Sequence, residues 1–255
     1  MTSEIGLIEV AASLVLIVLT IVPAMWLQLG VTQRVLIAVT RAAVQLMAVG
    51  YLIKFIVGSE ADLWLAYAWV AAMVVTTAIV ARRRSPTINR IVWIALVAIG
   101  TATALCLGVI FGLGVLEFEP LTLIVVAGIT IGNTLPSVVL AGNRVVATFR
   151  DQQDLIDGVV ALGADRREVI RFVGGEIVRT ALIPQIERTN VVGLIALPGA
   201  MTGLLLAGVD PIDAVLTQLI VMYLVLGSVS WSVVVTTVVS LFYALDRGFS
   251  RSQSD

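Results

Sequence analysis

Four polar side chains lie within long apolar stretches of the sequence, where each could contact a solute that crosses a membrane. Arg41 and Gln45 are four residues apart, so a helix would place both on one face. An arginine at such a position either extends to the nearer lipid headgroups or faces the interior of a helix bundle. Asn133 needs a hydrogen-bond partner, which is either a neighbouring helix or a substrate. Gln218 is a further polar candidate.

The pair Pro198 and Gly199 lies close to the middle of the apolar stretch between Arg188 and Asp210. Proline removes a backbone hydrogen bond and therefore weakens a helix. A broken helix at the centre of a bilayer persists only inside protein or beside a water-filled cavity. Such a break is typical of transporter substrate sites, and a proline kink for packing is the alternative. Met201, close behind, is either a soft metal ligand or core filling.

The residue types exclude several kinds of chemistry. The chain has no histidine and one cysteine, Cys106, which excludes histidine catalysis and clustered cysteine metal sites. Its single lysine, Lys54, is not part of a GxxxxGK[ST] loop, so we expect no bound cofactor and any ATP to be used by another chain. The net charge of −1 indicates no nucleic-acid partner. Together these absences argue against an enzyme.

The elements that must position these residues are membrane helices. Hydrophobic residues make up 59% of the 255 residues and charged residues 13%, against roughly 45–50% and 25% in soluble domains. An apolar stretch of about 20 residues crosses a bilayer as a helix. The sequence predicts an all-α, polytopic integral membrane helix bundle in the lipid bilayer. The expected seven transmembrane helices fall within residues 9–34, 35–57, 62–82, 90–117, 120–144, 188–210 and 213–246.

The distribution of basic residues predicts the orientation. With seven spans and the N terminus outside, fifteen basic residues lie on the cytoplasmic side and only Lys54 lies outside. Cytoplasmic loops carry this excess of arginine and lysine, which predicts an N-outside, C-inside topology. The first span is not expected to be a cleaved signal peptide, because Glu4 and Glu9 stand where a positive region would be.

The largest expected extramembrane segment is residues 144–190, with seven arginines and seven acids. Its apolar spacing predicts two helices, the first ended by Gly163 and the second capped by Asp165. We expect Pro184 to break the pattern before the sixth span. The segment is either a solvated loop on lipid headgroups or a docking site for a cytoplasmic protein, and its balanced charge favours the protein.

Several motifs carry a resemblance to a known family. They are Arg41-Ala-Ala-Val-Gln45-Leu46, Gly50-Tyr51-Leu-Ile-Lys54, Gly132-Asn133, Leu162-Gly163-Ala164, Ala181-Leu-Ile-Pro184, Gly193-Leu194, Leu197-Pro198-Gly199, Met201-Thr202-Gly203, Leu206-Ala207-Gly208, Pro211 and Gln218. With them the sequence resembles the FetB-type permease family of ABC transporters, the membrane subunits assigned to iron export in bacteria. It is similar also to the membrane subunits of the plant aluminium-tolerance ABC transporters.

The resemblance implies a single transmembrane permease domain over residues 1–255, in the plasma (inner) membrane of a bacterium. The permease would work as a homodimer with a separate cytoplasmic ABC ATPase subunit and export a metal ion, iron. The expected coupling residues, within the cytoplasmic segment 144–190, are Asp157, Leu162, Gly163, Ala164, Arg166, Arg167, Glu168, Arg171 and Arg179. The expected translocation pathway comprises Arg41, Gln45, Asn133, Pro198, Gly199, Met201 and Gln218. No metal ligands are assigned.

Other functions remain open from the residues alone. One is a self-contained channel or secondary transporter, which would need charged or ion-coordinating groups near the middle of the membrane. Another is an ABC permease for a different substrate, such as a nucleotide sugar or a lipid. A scaffold for assembly is a third, and it would tolerate substitution of Pro198 and Asn133.

Overall fold

The computed structural model describes residues 7–59, 62–85, 88, 90–193 and 195–252. Within these residues the regular structure is helical apart from one isolated bridge between Val192 and Ala196. The helices are α1 (Leu7–Trp26), α2 (Thr32–Val57), α3 (Asp62–Arg84), α4 (Ile91–Gly112), α5 (Pro120–Asp151), α6 (Gln153–Ala161), α7 (Arg166–Asn190), α8 (Gly199–Leu206) and α9 (Pro211–Ser252).

The predicted all-α membrane architecture is confirmed at the level of its helices. Five of them, α2, α3, α4, α5 and α9, are long and apolar enough to cross a bilayer, and a shorter apolar helix covers Ala12–Trp26. Most of their length is free of charge, and because they are helical their backbone groups bond within the helix, as a bilayer requires. The number of seven spans and the N-outside orientation stay predictions.

Residues 188–210, which were expected to form the sixth transmembrane helix, have a different structure. Pro184 does not break the chain there, because α7 continues through it to Asn190. Between α7 and α9 the chain forms irregular turns and then α8, whose eight residues are about 12 Å long. Residues 188–210 therefore do not form a membrane-length helix. The break at Pro198 is present, since Pro198 is the N-cap of α8.

The chain divides into two compact units, Met1–Glu60 and Ala61–Asp255. In the first unit α1 packs on α2. The connection between these helices uses two residues with positive φ, Gln28 at 50° and Gly30 at 68°. A left-handed conformation favours glycine, and it lets the chain reverse within a few residues.

In the second unit α9 is the central helix, and α4, α5, α7 and α8 all pack on it. The apolar core combines Cys106 of α4, Val126 of α5, Ala181 of α7 and Val229 of α9. The small side chains of Cys106 and Ala181 let their helices approach closely, which is how helices associate in membranes. A second cluster at the other end of the unit joins α5, α6, α7 and α9.

Contacts with α9 show that α4 runs antiparallel to it. The Arg90 guanidinium lies 5.1 Å from the centre of the Tyr243 ring. Further along, the Trp231 indole N–H donates to the Thr101 hydroxyl at 3.0 Å. Residue numbers rise along α4 while they fall along α9, so both helices extend between the same two ends of the unit.

The helix α7 also runs antiparallel to α9. At its start the Arg166 guanidinium forms an ion pair with the Asp246 carboxylate at 3.0 Å. Two turns further, the α-carbon hydrogens of Gly174 face Leu241, whose Cδ1 would lie 3.4 Å from a Cβ at that position. Ala181 then packs in the cluster that contains Val229. The start of α7 therefore lies at the same end of the unit as the start of α4.

Candidate functional site

The two helices predicted within residues 144–190, separated by a turn at Gly163, are confirmed as α6 and α7, although α7 continues through Pro184. The helix α6 ends at Ala161, and Gly163 follows with φ of +92°. The Gly163 N–H donates to the Val160 carbonyl at 2.9 Å, and the Ala164 N–H donates to the Val159 carbonyl at 3.3 Å. This pair of bonds satisfies carbonyls that the end of a helix leaves free, and it needs a left-handed residue that glycine adopts readily. We refer to residues 153–168 as the α6–α7 corner.

The start of α7 has the predicted cap. The Asp165 carboxylate accepts from the Glu168 N–H at 2.7 Å, and the Glu168 carboxylate accepts from the Asp165 N–H at 2.8 Å. This reciprocal pair is a capping box, which fixes where the helix begins. Both carboxylates also lie at the positive end of the helix dipole. The turn and the cap together hold α6 and α7 at a defined angle.

The inner side of the corner is anchored in the bundle. Ile156, only 3% exposed, packs in one cluster with Val145 of α5, Val169 of α7 and Leu241 of α9. The Arg166 guanidinium adds its ion pair to Asp246 and lies 5.4 Å from the centre of the Phe242 ring. The contacts of α6 are with α5 and α7, and the shared cluster connects it through them to α9.

The outer side of the corner has the composition of a protein contact surface. Leu162 is 90% exposed and Leu155 is 50% exposed. Around them Asp154, Asp157 and Arg167 are all exposed. Exposed leucines surrounded by charges of both signs suit a protein partner better than an anionic lipid surface, which would attract a basic face.

The remaining predicted coupling residues lie further along α7. Arg171 is five residues after Arg166 and Arg179 is thirteen residues after it, about 7 Å and 20 Å along the helix. Both are exposed. The structure thus groups the predicted positions from Asp157 to Glu168 at the corner and places Arg179 well away from it.

Of the predicted pathway residues, Arg41 and Gln45 lie in the first unit. Both are on α2 one turn apart, and both are exposed. In the second unit Asn133 is half-buried on α5, and its amide N–H donates to the Ile129 carbonyl at 2.8 Å. That bond lies within α5. It is therefore different from both contacts expected from the sequence, a bond to a neighbouring helix or to a substrate.

The other pathway residues lie on α8 and α9. The Pro198 carbonyl accepts a hydrogen bond from the Thr202 hydroxyl at 3.1 Å. Gly199 is the first residue of α8, and Met201 is half-buried on the same helix. Gln218 on α9 is 5% exposed, and its side-chain carbonyl has no hydrogen-bond partner among the described residues. The described residues include no group of three or more histidine, cysteine, aspartate or glutamate side chains that could bind a metal.

A row of buried hydroxyl groups on α9 was not predicted from the sequence. Ser228, Ser232, Thr236 and Ser240 recur every fourth residue and are at most 6% exposed. Ser228 and Ser232 donate to carbonyls of their own helix, whereas the Thr236 and Ser240 hydroxyls have no partner among the described atoms. Their spacing of four in an apolar helix was the available signal, because it places all four on one face.

Comparison with known proteins gives the family. Residues 7–244 match the family described as "Uncharacterised protein family (UPF0014)". The chain belongs to this family. The match covers both units and includes the whole α6–α7 corner. Together with the apolar helices, it makes the chain a multi-pass membrane protein of the UPF0014 family.

Three relatives show how far the similarity extends. The chain is 31% identical to the probable iron export permease protein FetB of Escherichia coli K12, over 89% of this chain and 87% of that protein. It is 29% identical to the membrane protein STAR2 of rice, Oryza sativa subsp. japonica, over 91% and 81%. It is 27% identical to the protein ALUMINUM SENSITIVE 3 of Arabidopsis thaliana, over 91% and 85%. No solved structure matches the chain.

Proposed function

We propose that this chain is the membrane-spanning permease subunit of an ABC transporter. The observation that carries the proposal is the α6–α7 corner, a short helix that is anchored on its inner side and exposes Leu155 and Leu162 on its outer side. A cytoplasmic ATPase subunit would dock on this outer side. The similarity to FetB, whose name describes a permease, supports the same function.

Transmission of force follows from the contacts of the corner. Closure of the ATPase pair around ATP pushes on α6, and Ile156 passes the displacement to α5, α7 and α9 through their shared cluster. The exposed Arg166–Asp246 ion pair adds a weaker contact between the start of α7 and α9. Packed cores shift between discrete arrangements and do not deform continuously, so a small push becomes a helix movement.

The proposed transport cycle exports a metal ion, with iron as the candidate because of the FetB name. Two copies of the chain work with two ATPase subunits in a bacterial inner membrane, with the N terminus outside. Arg41, Gln45, Asn133, Gln218 and the segment from Pro198 to Met201 are the proposed pathway residues. The chain binds no cofactor in this proposal, since ATP belongs to the partner.

Recovery of the ATPase from mild detergent extracts of the native host tests the partner. Tagged chain is expected to recover an ABC ATPase subunit. Leu162→Arg should abolish that recovery without unfolding the bundle, because this side chain is 90% exposed. Leu113→Arg is the matched control, since Leu113 is 76% exposed but lies at the far end of α4. Failure to recover an ATPase, or equal recovery with both variants, would contradict the proposal.

Iron content of whole cells tests the substrate. Host cells that lack the chain are expected to accumulate iron when iron is in excess, and the intact gene should reverse this. Cells with Leu162→Arg should behave like the deletion, and cells with Leu113→Arg like the wild type. Unchanged iron in the deletion strain would exclude iron as the substrate but would leave the ATPase partner untouched.

A further inference from the structure

The helix α7 combines two properties that conflict in a lipid environment. Its buried residues, including Val173, Ile177 and Ala181, pack on α5 and α9, which are long and apolar enough to cross the bilayer. Its other side carries Glu176, Arg179 and further charges, all exposed. The helix α7 is not one of the five that are long and apolar enough to cross a bilayer, and its charged residues make it more polar than they are.

The contacts of α7 give its depth in the bundle. Its first residue, Arg166, pairs with Asp246, close to Tyr243, on which the start of α4 packs. Ala181, about 22 Å along α7, lies in the same cluster as Cys106, which is about 22 Å along α4. The 25 residues of α7 extend about 37 Å, and the 22 residues of α4 about 33 Å. The two helices therefore cover the same depth, which is the thickness of a hydrocarbon core.

Two charged side chains of α7, Glu176 and Arg179, lie about 15 Å and 20 Å along the helix from Arg166 and so at the depth of the hydrocarbon, while Glu187, about 32 Å along, lies near its far boundary. Glu176, Arg179 and Glu187 follow at intervals of three and eight residues, which places them along one side of the helix. All three are exposed, and none forms an ion pair with another described side chain. Charged groups at this depth do not face lipid, and they line the bundle interior or a water-filled cavity.

We propose that α7 crosses the membrane and that its charged side lines a water-filled pathway. The side is formed by Glu176, Arg179, Ile183 and Glu187, and we refer to it as the α7 charged face. This extends the proposed permease function, because a pathway with carboxylates and a guanidinium accepts a hydrated ion or another charged solute and not a lipid. Carboxylate oxygens are also the ligands that hard cations prefer.

Water access is tested by cysteine labelling of the full chain in lipid nanodiscs. The background variant is Cys106→Ser, which removes the single cysteine, a buried one. Arg179→Cys and Ile183→Cys are treated with a charged, membrane-impermeant maleimide. Val234→Cys is the matched control, because Val234 is 43% exposed and adjoins Val233, which packs in the cluster of Ala181.

The expected result is labelling of both α7 cysteines at least about tenfold faster than Val234→Cys, because the reactive thiolate forms in water and not in lipid. Using two positions protects the test against misfolding, since Ile183→Cys removes no charge. Equal and slow labelling at all three positions would overturn the proposal. Equal and fast labelling at all three positions would also overturn it, because Val234 and the two α7 residues would then all lie outside the hydrocarbon core.

Transport assays separate this inference from the proposed function. Glu176→Gln and Glu187→Gln should reduce the transport of iron, the candidate substrate, at unchanged labelling of Ile183→Cys. Labelling needs no ATPase partner. If α7 is labelled from water but the chain shows no ATP-driven transport, the permease function is contradicted and the water-filled pathway is not. Full transport by the glutamine variants would contradict the role of the carboxylates.

Discussion

The turn between α6 and α7 makes a quantitative prediction about coupling. Gly163 has φ of +92°, and a Cβ at this position would meet no atom within 4 Å. The effect of Gly163→Ala is therefore conformational and not steric, and it should cost about 1–2 kcal/mol for an L-residue held in a left-handed conformation. Gly158→Ala is the matched control, since a Cβ there also meets nothing within 4 Å and the residue is inside α6.

The control substitution is expected to have the opposite sign. An alanine inside an exposed helix is favoured over glycine by up to about 1 kcal/mol. Gly158→Ala should therefore stabilise α6, while Gly163→Ala raises the population of opened corners by a factor of about 5–30. Limited trypsin cleavage after Arg166 and Arg167 reports this population directly, because cleavage follows the open form when opening is fast.

Coupling is measured with the chain and its ATPase in vesicles, as solute transported per ATP hydrolysed. Gly163→Ala should keep most of the hydrolysis and lose transport, because α6 no longer passes its displacement to the long helices as a rigid element. Gly158→Ala should leave the ratio unchanged. If the two variants gave the same trypsin cleavage and the same ratio, the strain assigned to the turn would be refuted.

Five further substitutions test three local interactions by thermal unfolding in detergent. Asp165→Ala removes the cap of α7 and should lower the free energy of unfolding by about 1 kcal/mol. Asp165→Asn can still accept the capping hydrogen bond, so it should lower the free energy of unfolding much less. Equal decreases in the two variants would contradict the capping role. Gln218→Met should raise the free energy of unfolding by about 1 kcal/mol, because the buried side-chain carbonyl of Gln218 has no hydrogen-bond partner among the described residues. A lower melting temperature of this variant would show that the carbonyl does have a partner. Trp231→Phe and Thr101→Val each remove one partner of the same hydrogen bond, and each should lower the free energy of unfolding by about 1 kcal/mol or less. The double variant should lose less than the sum of the two single decreases. A decrease equal to that sum would show that the hydrogen bond contributes nothing.

The α6–α7 corner was predictable because its signals are local. Gly163 ends a helical apolar pattern, and Asp165 stands three residues before Glu168, so both the turn and the capping box can be read within six residues. Turn conformation and capping depend on neighbouring residues and little on the rest of the fold. The alignment of α4 with α9 had no such local signal, since it depends on contacts between residues more than 100 positions apart.

By itself, the sequence determined that this is a helical membrane protein, because long apolar stretches can satisfy their backbone hydrogen bonds only as helices in a bilayer. The tertiary structure alone decided that the charged helix α7 packs along α5 and α9 and that residues 188–210 form turns and a short helix. Hydropathy assumes that a crossing helix faces lipid on every side. A helix that packs one side on its neighbours buries only that side, so the place of α7 in the bundle follows from packing and not from composition.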